Sequence, residues 1–443
     1  MSIALLAALS AVSASAQIQP PKFSKHALLN GLEIFLLREP VQRPHFVLMI
    51  KNGAAFDPVD KWGVTLLTYR MMMARTERRT AEQLSQDLRT LGAEIRLRVE
   101  WDAAFISGNA PAERMEDVLG VLAEMVVRPE WDEALFESLR LELAEEVRRE
   151  TESPELRTQD VFLSSLFQQN PYAHGVKGDV STLNNLTLND VKIQYRKLIM
   201  PNQAQLALYF AGDEVQLLRT LGRRWGSWVR GEALPFTFRQ ADPPAGVTVL
   251  ILDSPGDQSV LRVGALGPRK GERDYYALKV LEQYLTLSLP AWGAEIDRSN
   301  QVQASIQVRG LKMPGFVQLN VKSGTEQTPF YVRRIWRALG DMREGRIDPE
   351  RLREAKELAF LELRNRLQDP AARLHELLES NLYDLGVSYL ATYGLRLQRV
   401  LPDTLREVAR TRLAATSFVV VVAGSASRLS AELEGEGPVT ILN

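Results

Sequence analysis

Leu206-Ala207-Leu208-Tyr209-Phe210-Ala211-Gly212-Asp213 and Val419-Val420-Val421-Val422-Ala423-Gly424-Ser425 carry one pattern twice, an apolar run of strand-forming residues that stops at an Ala-Gly step. Each run follows a helix-like segment, Leu186 to Tyr195 before the first and Leu401 to Arg410 before the second. A second pair of markers keeps nearly the same offset: Glu146 stands eight residues before Pro154, and Glu362 eight residues before Pro370. Two markers at almost one spacing point to a duplicated unit, so the chain reads as two related halves.

Between the halves lies Gly231-Glu232-Ala233-Leu234-Pro235 through Asp242-Pro243-Pro244-Ala245-Gly246. Proline fixes φ and donates no hydrogen bond, so this stretch is a connector, with the boundary near residue 240. The domains are expected at 22–235 and 245–430. Within each, helical and strand periods alternate. Met115, Val118, Leu119, Leu122 and Met125 fall on one helical face, and Val332, Ile335, Leu339 and Met342 nearly repeat that spacing. Leu32–Leu37, Phe46–Ile50, Ile95–Val99, Val247–Leu252, Ser305–Val308 and Val317–Val321 read as strands. Asn30-Gly31 is a turn that joins a short preceding strand to the first of these. The expected class is α+β: two domains, each a mostly antiparallel sheet covered by helices.

The 443 residues contain 54 Lys plus Arg against 55 Asp plus Glu, and the pI is near 6.5. No global field draws such a chain to nucleic acid or anionic lipid, so proteins or peptides are the expected partners. Met1 to Ala16 is uncharged, apolar or small, and ends in Ala14-Ser15-Ala16. It reads as a signal peptide (1–16) for export, to a bacterial periplasm; with no basic n-region, a misplaced start and an uncleaved anchor are the alternatives. No later run approaches the roughly 20 apolar residues that cross a bilayer. With no cysteine, disulfides and thiolate metal sites are excluded.

A set of short motifs, in order and at consistent spacing, runs through most of residues 22–430. They are Leu29-Asn30-Gly31-Leu32-Glu33, Asn52-Gly53-Ala54-Ala55-Phe56-Asp57-Pro58, Gly63, Leu91-Gly92-Ala93-Glu94, Arg128-Pro129-Glu130-Trp131, Asn170-Pro171-Tyr172-Ala173-His174-Gly175-Val176-Lys177-Gly178 and Tyr209-Phe210-Ala211-Gly212-Asp213. Together they resemble the insulinase and pitrilysin-type metallopeptidases, the inverted zincins, and in particular their half-length bacterial and processing-peptidase-like members. In catalytic relatives, H-x-x-E-H puts two zinc-binding histidines on one helical face with a water-activating glutamate between them. Here the corresponding run is Gly63-Val64-Thr65-Leu66-Leu67-Thr68-Tyr69-Arg70. Those three places are held by Leu66, Tyr69 and Arg70: a side chain without lone pairs, a poor base and a permanent cation.

The resemblance puts the third zinc ligand at Glu146, with Glu145 as the neighbouring register. Two readings of Glu146 compete, an ordinary surface glutamate in the Glu142–Arg149 charge run and a salt bridge to Arg70; the first is preferred. The four histidines, His26, His45, His174 and His375, have no pair at i, i+3 or i+4. His174 reads as capping or packing a loop, and His375-Glu376 as helix surface. No match exists for the family's substrate-holding arginine and tyrosine; Arg298 is the nearest arginine and is not assigned that role. Met71-Met72-Met73 reads as core filling in preference to copper binding, and Trp225 and Trp228 as packing beneath the connector.

The resemblance therefore implies a noncatalytic subunit that binds no cofactor itself, its zinc expected in a catalytic partner. Active relatives enclose a chamber with four such domains, and this chain supplies two. It implies pairing with a homologous zinc-bearing half-length subunit, or a homodimer, around a peptide substrate. A peptide-binding or scaffold protein without peptidase partner, and a hydrolase of unrecognised chemistry, stay open.

Overall fold

The computed structural model describes residues 18–39, 41, 43–296, 302–386, 388–414 and 416–442. The signal segment and Arg298 lie outside them. Twelve strands form two six-stranded sheets. The first contains β1 (Phe23–Ala27), β2 (Glu33–Leu37), β3 (His45–Ile50), β4 (Glu94–Val99), β5 (Ala104–Asn109) and β6 (Ala204–Tyr209), in the order β1-β2-β6-β3-β5-β4. The second contains β7 (Gly246–Asp253), β8 (Gln258–Leu266), β9 (Gln303–Arg309), β10 (Phe316–Gly324), β11 (Ser417–Gly424) and β12 (Val439–Leu442), in the order β12-β7-β11-β8-β10-β9.

Without the outermost strands β1 and β12, the two orders match strand for strand, and both halves place one parallel pair at the same position, β2 with β6 and β7 with β11. The halves are copies of one plan. Both sheets are mixed, antiparallel apart from those pairs and the parallel β12–β7 edge. The Ala-Gly steps sit at the ends of β6 and β11 as the repeat implies. At the first hairpin Gly31 has φ 93°, a conformation open to glycine, and its N–H donates to Leu28 O at 2.9 Å.

β5 and β8 are additional to the strands expected from sequence. β5 ends in Ser107-Gly108-Asn109, which has little strand character, and β8 carries Arg262 in mid-strand. β12 lies beyond residue 430 and completes the edge of the second sheet.

Arg262 is accommodated because of how the halves are joined. The Pro154–Phe167 helix belongs to the first half in sequence yet packs on the second sheet: Phe162, Leu163, Leu166 and Phe167 are buried with Phe316, Val419, Val421 and Ala423. There Arg262 donates to the Thr158 hydroxyl at 3.1 Å and to Glu155 O at 2.6 Å. The duplicate helix, Pro370–Leu382, packs reciprocally on the first sheet, burying Leu374, Leu377, Leu378 and Leu382 against Phe35, Val47, Met49, Phe105, Ala207 and Tyr209. This exchange corrects the reading of His375-Glu376 as surface. The helix that carries them is covered by a sheet from the other half, and Glu376 is only 2% exposed.

Residues 226–245 contain no helix or strand, but they are held in place. Phe236 and Phe238 set their rings edge-on around Phe56, at 5.6 and 5.0 Å. Trp225 and Trp228 are buried next to this passage, and the Trp228 indole donates to Ile199 O at 3.1 Å. Met71 and Met72 are fully buried and fill core.

Candidate functional site

The helix expected to carry chemistry runs Val64–Ala74. Its N-cap, Gly63, has φ 90°, and a Cβ there would stand 2.4 Å from Lys177 O, so only glycine fits. The capping is done by Asp57, whose carboxylate accepts from the Gly63 N–H at 2.7 Å and the Thr65 N–H at 3.0 Å. Apolar residues surround the helix almost completely. Val64, Leu66, Leu67 and Met71 enter one buried cluster with Phe136, Leu143 and Val147, while Tyr69 and Met72 enter the core under the first sheet.

At the three ligand and base positions the structure shows leucine packed in a core, a buried phenol and a paired guanidinium. Leu66 is buried among aliphatic side chains. Tyr69 is fully buried, its hydroxyl meets no hydrogen-bond partner among the described residues, and burial raises its pKa well above the ordinary phenol value. Arg70 makes a two-pronged ion pair with Glu146, Nη1 to Oε1 at 2.9 Å and Nη2 to Oε2 at 2.8 Å.

Lys177 Nζ stands 3.4 Å from the same carboxylate and pairs also with Glu150. The Arg70 hydrogen bond, the Arg70 charge and Lys177 hold the Glu146 carboxyl below its usual range, against some desolvation. Of the two competing readings of Glu146, the structure therefore contains the Arg70 salt bridge. It also separates the two registers: Glu145 turns outward and pairs with Arg148 at 2.8 Å.

This constellation does not fit a zinc ion. The site offers no imidazole, its one carboxylate has both oxygens engaged by a guanidinium, and that cation would face any dication placed there. Among the described residues no cluster of three or more His, Asp or Glu side chains could hold a metal elsewhere. His174 lies flat on Trp62, rings 5.2 Å apart and 7° from parallel, and burial lowers its pKa. It packs a loop.

Two substitutions should move stability in opposite directions. Arg70→Ala leaves Glu146 with Lys177 alone and is expected to cost roughly 1–2 kcal/mol. Tyr69→Phe removes a buried donor without a partner and is expected to be neutral or stabilising by up to about 1 kcal/mol. Urea titration of both variants checks the pair of signs.

Comparison with known proteins fits this geometry. Residues 36–179 match the family described as Insulinase (Peptidase family M16), and residues 185–359 match the Peptidase M16 inactive domain. The chain belongs to the insulinase-like M16 family. The inactive-domain match and the fold support a noncatalytic M16 member. Among curated proteins, it is 23% identical over 172 residues to the mitochondrial cytochrome b-c1 complex subunit 1 of Caenorhabditis elegans, covering 39% of this chain and 36% of that one. It is 21% identical over 221 residues to an uncharacterized zinc protease of Rickettsia felis, covering 48% and 52%. The chain thus matches between about a third and a half of the length of these relatives.

Solved M16-like structures share the fold over nearly the whole chain. A Helicobacter pylori protease superposes with a TM-score of 0.83 at 17% identity, covering 91% of this chain and 99% of that one. A Pseudomonas fluorescens protein described as a peptidase M16 inactive domain gives 0.81 at 18%, covering 91% and 98%. No helix among the described residues is long and apolar enough to cross a membrane.

Proposed function

We propose that this chain is the noncatalytic half of an exported two-chain M16 peptidase, pairing with a zinc-bearing half-length subunit and completing the chamber around a peptide. The observation that carries this reading is the Arg70–Glu146 pair. It fills the place of a metal site with a salt bridge, while the surrounding helices and sheets keep the family's arrangement. In this reading the chain binds no cofactor, and zinc resides in the partner.

Two further features support it. A curated relative is named as one subunit of a larger complex. In addition, β4 and β9 are sheet edges, each hydrogen-bonded on one side only among the described residues, and an extended peptide can add to such an edge by main-chain pairing. A peptide-binding scaffold without peptidase partner is the second reading, favoured by the same edges.

Co-expression with a half-length subunit bearing an intact H-x-x-E-H separates the two. The expected result is co-elution, with peptide cleavage that needs both chains and is abolished by a chelator, and no zinc in this chain purified alone. A partner that is fully active by itself and never co-elutes would reject the subunit reading. Chelator-sensitive cleavage by this chain alone would reject the noncatalytic one.

A further inference from the structure

Two adjoining clefts open on the second domain, one of about 350 Å³ and one of about 530 Å³, sharing Gly271, Tyr276 and Arg396 as a common wall. Their other charged lining is mostly basic. Arg269 and Lys312 border the first cleft, and Arg273 and Arg399 the second. Lys270 is already committed to Glu379, and Glu272 to Arg412. Arg269, Arg273, Lys312, Arg396 and Arg399 have no carboxylate within salt-bridge distance among the described residues, which leaves Asp384 as the single free acid on the wall. Elsewhere on this surface arginines commonly sit against carboxylates, as Arg148, Arg346 and Arg353 do. Here a row of them shares a concave wall and meets none.

The centre of the row is pre-set. The Arg396 guanidinium lies over the Tyr276 ring, 5.1 Å from its centroid, and Nη1 donates to the Tyr276 hydroxyl oxygen at 3.1 Å. That oxygen is therefore the acceptor, and its own proton is free to be given to something else. Tyr276 is fixed by its neighbours Tyr275 and Tyr393, with ring centroids 5.7 and 5.8 Å away, and is 4% exposed. Arg396 and Arg399 lie three residues apart on the helix Tyr389–Gln398 and its C-cap, on one face, so both reach the cleft.

Guanidinium groups present parallel N–H donors that match phosphate oxygens, and a hydroxyl donor beside them adds a further bond. A single small anion would use one part of this wall; cations spread over two connected clefts suit an elongated one. The geometry points to a binding site for a condensed phosphate, a di- or triphosphate chain, held at its middle by Arg396 and Tyr276 and at its ends by Arg269 and Lys312 on one side and Arg273 and Arg399 on the other. Inorganic tripolyphosphate and the phosphate tail of a nucleotide offer the same chemistry. The site is independent of the peptidase-subunit reading.

Calorimetric titration of the full chain with inorganic tripolyphosphate and, separately, ATP tests it, at about 0.05 M and about 0.3 M salt. The expected result is saturable binding of tripolyphosphate, weakened about tenfold or more at the higher salt and about tenfold by Arg396→Ala and by Arg399→Ala. Arg346→Ala, which removes an exposed arginine already paired with Asp341, is the control and should bind as the parent does. ATP binding more tightly than tripolyphosphate assigns the site to a nucleotide, and equal binding to the phosphate chain itself. Because Arg399 is exposed, its variant should melt with the parent, which separates lost binding from lost fold. No binding of either compound at millimolar concentration, or unchanged affinity in both Arg396→Ala and Arg399→Ala, overturns the proposal.

Discussion

Phe162→Ala is expected to cost about 3–5 kcal/mol and to lower one unfolding transition shared by both domains. Phe162 is fully buried, meets Phe316 edge-on at 6.1 Å, and presses so close to β8 that a Cβ on Gly264 would stand 2.6 Å from its ring. Truncation leaves a cavity between a helix of the first half and the sheet of the second, with no side chain free to fill it. The reciprocal change, Leu378→Ala on the Pro370–Leu382 helix, should cost about 2–5 kcal/mol by the same mechanism. Because each sheet carries the other half's helix, neither domain keeps its core when the other melts. Differential scanning calorimetry should therefore show a single transition that moves as a unit in both variants. Two resolved transitions, with Phe162→Ala moving only one, would reject mutual dependence.

That exchange marks the limit of what the sequence discloses. Strands such as Val247–Leu252 and helices such as Met115–Val127 were legible because alternation and the 3.6-residue period report which face is buried. The pattern does not report what covers that face. Leu374, Leu377, Leu378 and Leu382 describe an amphipathic helix equally well whether it packs on its own sheet or the other, so His375 and Glu376 could be taken for its wet side.

β8 was obscured for the same reason, since Arg262 suits a strand only when a helix from the other half supplies the Glu155 carbonyl and the Thr158 hydroxyl. At the candidate site, the missing ligands were legible at fixed spacing along one helix. The partner of Arg70 was not, because Glu145 and Glu146 point about 100° apart on a helix and only the tertiary packing chooses between them. The basic clefts were invisible, because Arg273 and Arg396 belong to distant segments that meet only in the fold.

The same interface is itself acid-labile, in two steps with distinct origins. Lys270 Nζ lies 2.6 Å from Glu379 Oε2, both side chains largely buried, with Arg98 3.7 Å from the other oxygen. Burial alone would raise the Glu379 carboxyl, but Lys270, through charge and hydrogen bond, and then Arg98 and Arg366 overcome it and hold it at about 2. A carboxyl ordinarily near 4.5 and held at about 2 in the fold stabilises above pH 4.5, and loses that contribution as pH falls towards 2, to the extent of about 3 kcal/mol.

His375, on the same helix, is pushed down to about 4 by burial and by Arg98, whose Nη2 is 3.4 Å from Nδ1. The unfolded chain takes up this proton below about pH 6.5 while the folded one resists it down to about 4, so stability falls across that window too, by about 3 kcal/mol. Asp57 and Asp160, whose carboxyls burial raises to about 7 and about 6, add stability as pH falls over part of the same range, so this network is read as the difference in urea midpoint between the parent and Lys270→Ala. Lys270→Ala strands the Glu379 charge at neutral pH and is expected to cost about 3–5 kcal/mol there. Its deficit should shrink in acid, as Glu379 protonates and no longer needs its cation. A Lys270→Ala deficit that is the same at pH 7 and at pH 4 would show that this charge network does not hold the two halves together.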